Sequence, residues 1–170
     1  NGITGVPNAW NPNGNGQVYD LKLQDSLLYI AGSFDTLAGQ RRSRLAAFNT
    51  NTGLLTNYNP NANNIVKAIA LDSSAVYACG SFTMIGAATQ NRITKTNTAG
   101  VVQAWPFPYP NPNFGIDALV ASGDNLYVGG TFTTISLSTR NYIASYNLNT
   151  RLLNSWNPNA NNYVWEILPW

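Results

Sequence analysis

The chain has 170 residues, of which 44% are hydrophobic, 12% aromatic and only 9% charged, with a net charge of +2 from 9 basic and 7 acidic side chains. Soluble proteins average about 25% charged residues, so this one is charge-poor, yet it lacks the low-hydrophobicity, high-charge signature of disorder. The charge is too weak to argue for nucleic acid or an anionic membrane, no stretch approaches the ~18 apolar residues that cross a bilayer, and the absence of His removes the commonest general base and metal ligand.

Taken in order, the chain repeats itself. Residues 1–10 lead into Trp10-Asn11-Pro12, which returns as Tyr58-Asn59-Pro60 and Trp156-Asn157-Pro158, with Trp105-Pro106 as a degenerate copy. Those aromatics are 48, 47 and 51 residues apart. A second phrase reads LYIAGSF at 28–34, VYACGSF at 76–82 and LYVGGTF at 126–132, with intervals of 48 and 50 residues. Two independent anchors with one period indicate a repeat architecture.

The first copy reads as four extended runs. QVYDLKL is followed by a turn at Asp25-Ser26, then LLYIAGSF, a polar loop DTLAGQRRS, RLAAFNT, a turn at Asn51-Thr52-Gly53, and LLTNY. Asn and Gly tolerate the positive φ that hairpin turns require. Runs of four to eight residues between turn signals predict an antiparallel meander, and no window carries a helical period. The second copy reads VKAIAL, AVYACGSF, RITKTNT and VVQAW, and leaves through the expanded WPFPYPNPNFG. The third reads IDALVA, NLYVGGTF, YIASYNL and LLNSW, and YVWEIL opens a fourth. Four strands per unit of about 48 residues is the arithmetic of a β-propeller blade. The expected fold is all-β: a propeller of four-stranded antiparallel blades at 18–60, 66–106 and 116–158, with strands of neighbouring blades at 1–10 and 163–170. A β-sandwich would not need this regularity, and β-helix rungs are shorter.

The phrase LYVGGTFTTI, a polar loop with an Arg, and a run such as RLAAFNTNTGLLTNYNP together resemble the delta-sixty type repeat. This is a β-propeller repeat family of secreted bacterial proteins, and kelch-like propellers share the general pattern. The resemblance runs from Trp10 to Trp165 and implies a propeller, but no catalytic residue is carried over by it. Two departures stand out. Thr96 occupies the place of Phe48 and Tyr146, and Arg151 that of the turn glycines Gly53 and Gly100. Three blades cannot close a ring, so the chain is expected to be part of a longer propeller or to complete one by association. The missing initiator Met and signal peptide fit a piece of something longer.

The remaining signals concern location and site. Abundant Asn, Thr, Ser and Gly suggest an exported, surface-exposed protein. None of the 25 Asn begins an Asn-x-Ser/Thr site, which favours a bacterial source. The lone Cys79 excludes an intrachain disulfide and, standing where other copies have Ala31 and Gly129, reads as a small buried filler. The long loops after the second and fourth runs predict a ligand face. Arg42 and Arg140 share one repeat position there, and Arg44 and Arg92 another. They read either as a ring of donors for a glycan or carboxylate or as stiffeners satisfying loop carbonyls. Trp10, Tyr58, Trp105 and Trp156 read as a sugar ladder or as inter-blade core. The insertion with Trp105, Phe107, Tyr109 and Phe114 breaks the repeat and is the best candidate binding loop. Asn runs at 59–64 and 157–162 read as polar turns, because calcium sites call for several carboxylates. Asp20 and Glu166 share a first-strand position near the expected axis. They are the pair a hydrolase would use, and equally a polar channel lining. No cofactor, metal, nucleic acid or membrane insertion is expected. The function expected is a noncatalytic extracellular module for adhesion or protein interaction, with carbohydrate binding as the alternative and a glycoside hydrolase as a less favoured one.

Overall fold

The computed structural model describes residues 9–105 and 110–168, among which there is no helix. The fold is all-β and antiparallel throughout. The first unit comprises β1 (Val18–Gln24), β2 (Leu27–Gly32), β3 (Thr36–Leu37), β4 (Gln40–Arg41) and β5 (Leu45–Asn49). The second comprises β6 (Val66–Leu71), β7 (Ala75–Gly80), β8 (Met84–Ile85), β9 (Ala88–Thr89) and β10 (Ile93–Asn97). The third comprises β11 (Ile116–Ser122), β12 (Asn125–Gly130), β13 (Thr134–Ile135), β14 (Ser138–Thr139) and β15 (Ile143–Asn147). In each unit the repeated phrase is the central strand of a three-stranded sheet: β1-β2-β5, β6-β7-β10 and β11-β12-β15.

The expected fourth strand shrinks to a single bridge in every unit: Phe48↔Leu55, Thr96↔Val102 and Tyr146↔Leu153. In the first unit Asn49 N–H bonds Leu54 O and Thr56 N–H bonds Ala47 O. The chain then leaves the sheet so that Tyr58 can insert beneath the next unit, and Pro60 has no N–H to continue a ladder. Residues 163–168 likewise form no named strand. The supposed polar loops after the phrase are two-stranded hairpins, β3-β4, β8-β9 and β13-β14. Each buries one aliphatic side chain, Leu37, Ile85 or Ile135. Ala38 and Gly39 turn the first hairpin at φ 49° and 71°, and Ser136 and Leu137 the third at 50° and 59°. Positive φ at both central residues matches the twist of the flanking strands.

Alternation along the strands sorts side chains to two faces. Tyr29, Ala31, Leu45 and Ala47 of the first unit form one core cluster with Val66, Ile69, Val76 and Ala78 of the second. Tyr77, Cys79 and Ile93 of the second unit pack on Leu119, Leu126, Val128 and Ala144 of the third. Both faces of β7 are therefore covered, and all six of its residues are buried. Each large aliphatic or Phe side chain so buried contributes about 1.5–3 kcal/mol.

The glycines of the phrase divide into two kinds. The register slips by one residue at Tyr19, Lys67 and Asp117, giving the first strand of each unit the same bulge. A Cβ at Gly32, Gly80 or Gly130 would lie 2.1, 2.1 or 2.2 Å from the carbonyl oxygen of Gln17, Ile65 or Gly115. These glycines serve their own sheet. Gly129 does serve stacking, since a Cβ there would sit 2.7 Å from Val164 Cγ1.

One asparagine before each unit clamps the linker to the hairpin that follows. Asn15 Oδ1 accepts from the backbone N–H groups of Asp35 and Thr36, Asn63 Oδ1 from Thr83 and Met84, and Asn113 Oδ1 from Thr133 and Thr134. Asn49, Asn97 and Asn147 build the turns after β5, β10 and β15 by accepting from N–H groups two to four residues on. Much of the asparagine content is thus spent on backbone satisfaction.

Candidate functional site

The arginines are engaged within the fold. Arg42 donates from Nη1 to Arg41 O at 2.9 Å and from Nη2 to Thr56 O at 2.7 Å. Arg140 repeats this with Thr139 O at 2.9 Å and Asn154 O at 3.0 Å. Arg44 pairs with Asp35 at 2.7 Å, and Arg92 donates to Pro112 O at 3.1 Å. Arg44, Arg92 and the equivalent Tyr142 all adopt positive φ, at 66°, 63° and 67°. Each of these N–H groups bonds the carbonyl of the phrase's Phe, and each residue's own carbonyl accepts from the phrase's glycine. The position is thus fixed by backbone bonding, which explains why the side chain there varies.

Trp105 is half-buried, its ring edge-on to Tyr77 at 6.0 Å and to Tyr146 at 5.5 Å. It lies between the second and third units, in the core role weighed above. Phe107 and Tyr109 lie outside the described residues. Phe114, at the far side of the insertion, is 57% exposed.

A cavity of about 580 Å³ lies where the first strands of all three units and residues 163–168 meet. Asp20, Lys22, Lys67, Asp117, Trp165 and Glu166 are among its lining residues, so Asp20 and Glu166 do share one space. Asp20 is committed: Oδ1 accepts from Lys22 Nζ at 3.1 Å and Leu21 N–H at 2.8 Å, and Oδ2 from Ile69 N–H at 2.7 Å. Lys67 Nζ pairs with Asp117 Oδ1, joining the second and third units. The Asp117 side chain is 6% exposed, and its Oδ2 has no partner among the described residues. The Lys67–Asp117 pair was missed in the sequence, although the two residues occupy one repeat position with opposite charge, which was the available signal.

Other titrating groups are structural. Burial raises the Cys79 thiol well above its ordinary range, as an inert filler requires. Burial also pushes Asp72 up, but hydrogen bonds from Ser74, Tyr77 and Ala75 outweigh it and hold the carboxyl below its ordinary value. Among the described residues no group of three or more His, Cys, Asp or Glu side chains could hold a metal ion. No helix there is long and apolar enough to cross a membrane. No family model matches the sequence, and no curated protein matches it significantly.

Proposed function

We propose that the three units are blades of a β-propeller, and that the chain serves as a noncatalytic extracellular module for adhesion or protein–protein interaction within a larger surface or filament-forming protein. The convergence of β1, β6, β11 and residues 163–168 on one cavity, with apolar sheet faces stacked between successive units, carries the propeller reading. A propeller places the first strand of every blade around a common axis. Asp20 accepts three hydrogen bonds, from Leu21, Lys22 and Ile69, which ties its carboxylate to its own strand and to the neighbouring unit and supports a structural role. Apolar side chains on the hairpins after the phrase, Met84 at 43% and Leu137 at 88% exposure, suit contact with another protein. The test is antibody labelling of intact cells of the source organism. Labelling before lysis is the expected result, and labelling only after lysis overturns the extracellular reading.

Phe114 supports carbohydrate binding as a second reading, because it is exposed beside the one segment that departs from the repeat. A glycan array separates the two: binding that is lost in Phe114→Ala favours a lectin-like module, and a blank array favours a protein partner.

A further inference from the structure

The linkers between units share one frame: Asn13-Gly14-Asn15-Gly16, Asn61-Ala62-Asn63-Asn64, Asn111-Pro112-Asn113-Phe114 and Asn159-Ala160-Asn161-Asn162. Among the described residues only the first of these sets glycine after asparagine, and it does so twice. At an Asn-Gly step the backbone nitrogen that follows can attack the asparagine side chain. Glycine has no Cβ to obstruct the ring closure and the greatest backbone freedom to reach it.

The fold treats the two steps differently. Asn15 Oδ1 accepts from the N–H groups of Asp35 and Thr36 at 2.8 and 2.9 Å, both within its own unit. The Gly16 backbone lies so close to Phe34 that a Cβ there would be 2.7 Å from Phe34 Cα. Bringing Asn15 Cγ onto the Gly16 nitrogen therefore breaks two hydrogen bonds and moves a packed backbone. The first asparagine of the frame is held less. The side chains of Asn13 and Asn61 make no hydrogen bond among the described residues, and Asn111 and Asn159 accept one each, from Asn91 and Asn141. Asn61 and Asn111, each with a whole unit before it, are as exposed as Asn13. The looser hold is thus a property of the linker frame. A Cβ at Gly14 would press only on the end of the Leu37 side chain, at 3.0 Å.

We propose that Asn13 is a site of spontaneous deamidation and that the clamp on Asn15 protects the second step. The Gly14 nitrogen bonds to Asn13 Cγ, and the bond from Cγ to Nδ2 breaks. The side-chain nitrogen leaves as ammonia, carrying the proton that Gly14 gives up. Water then opens the succinimide at either carbonyl, leaving aspartate or isoaspartate. Either product adds a negative charge to a chain whose net charge is +2. Isoaspartate also inserts one backbone atom between Pro12, whose carbonyl accepts from Ala38 N–H, and the Asn15 clamp. The linker is thereby loosened where it is tied to the β3-β4 hairpin. The proposal concerns this linker alone and is independent of the adhesive role.

The test is peptide mapping by mass spectrometry of the folded chain held at mildly alkaline pH, beside the same chain in urea. In urea both steps are expected to react at similar rates. In the folded chain Asn13 should react faster than Asn15 by at least about fivefold, the worth of one hydrogen bond. Gly14→Ala introduces the side chain that Ala62 and Ala160 carry in their linkers. It should slow modification of Asn13 by about tenfold or more, because the Cβ obstructs closure, and leave Asn15 unchanged. Circular dichroism confirms that the sheets persist in this variant. A folded chain in which Asn13 stays intact while both steps react in urea overturns the proposal. So does one in which Asn15 reacts as fast as Asn13, or in which Gly14→Ala leaves the rate at Asn13 unaltered.

Discussion

The boundary between the first and second units and that between the second and third use one slot in two ways. At the first, Tyr58 is 3% exposed, stands edge-on to Tyr29 at 5.1 Å, and shares a 2.9 Å hydrogen bond with Thr96 Oγ1. At the second, Trp105 fills the slot between Tyr77 and Tyr146 with no hydrogen bond donated by its Nε1 among the described residues. Trp10 against Phe48, at 5.2 Å and 90°, follows the larger pattern. The exit aromatic and the residue facing it therefore match as a pair. A large ring faces an indole, and where the facing residue is the small Thr96, the exit residue is a tyrosine whose hydroxyl reaches it. What each slot demands is filled volume, not one residue type.

Removing the larger filler should have the largest effect. Trp105→Ala empties the slot between Tyr77 and Tyr146, with an expected loss of about 3 kcal/mol, the lower end for a large aromatic because Trp105 is only half-buried. Urea unfolding checks this, and an effect under about 1 kcal/mol would mean that the second boundary is not held by this ring.

The first boundary should respond less, and with a pH signature. Tyr58→Phe leaves Thr96 without its short partner, at a cost of about 1–2 kcal/mol, and adding Thr96→Val should recover most of it because both polar groups are then gone. Burial, only partly offset by the Thr96 hydrogen bond, pushes the Tyr58 hydroxyl well above its ordinary value. Folded protein thus retains a proton that the unfolded chain releases near pH 10. The associated stability is complete below about pH 10 and declines as pH rises above it. Tyr58→Phe should shallow that alkaline decline, and an unchanged slope would remove Tyr58 as a source. Tyr77 and Tyr146, raised by burial as well, maintain the remainder.

The smallest expected effect is a gain. Arg151 holds φ 62° where Gly53 and Gly100 hold 70° and 84°. A side chain in the left-handed region costs about 1–2 kcal/mol and the freer unfolded chain of glycine gives back about 0.5–1 kcal/mol, so Arg151→Gly should raise stability by about 0.5–1 kcal/mol. Thermal unfolding would register it as a higher midpoint.

These boundaries also explain what could be read in advance. The repeat, the central-strand phrase and the hairpin turns followed from period-two patterning and from Asn and Gly at turn positions, because those signals are local. Thr96 was visible as a departure from Phe48 and Tyr146, but its match to Tyr58 lies 38 residues away and depends on stacking. The hairpin carrying Leu37 was hidden for a different reason: its strands are two residues long, and its single buried side chain is surrounded by polar ones. The arginine positions were legible, and bonding to loop carbonyls was one of their two readings; which carbonyls Arg42 and Arg140 bond was not legible, because a backbone carbonyl leaves no trace in residue identity. Lys67 and Asp117 meet only when adjacent first strands are brought side by side.

That last contact offers the most direct test of the account, which holds that successive units stack with their first strands gathered on one cavity. A zero-length carbodiimide reagent joins an amine to a carboxylate only where they already touch. Treated at low protein concentration and digested, the chain is expected to yield a cross-linked peptide pair joining Lys67 to Asp117 within one molecule. If Lys67 couples instead to other carboxylates and never to Asp117, the first strands of the second and third units do not lie side by side, and the stacked arrangement is contradicted.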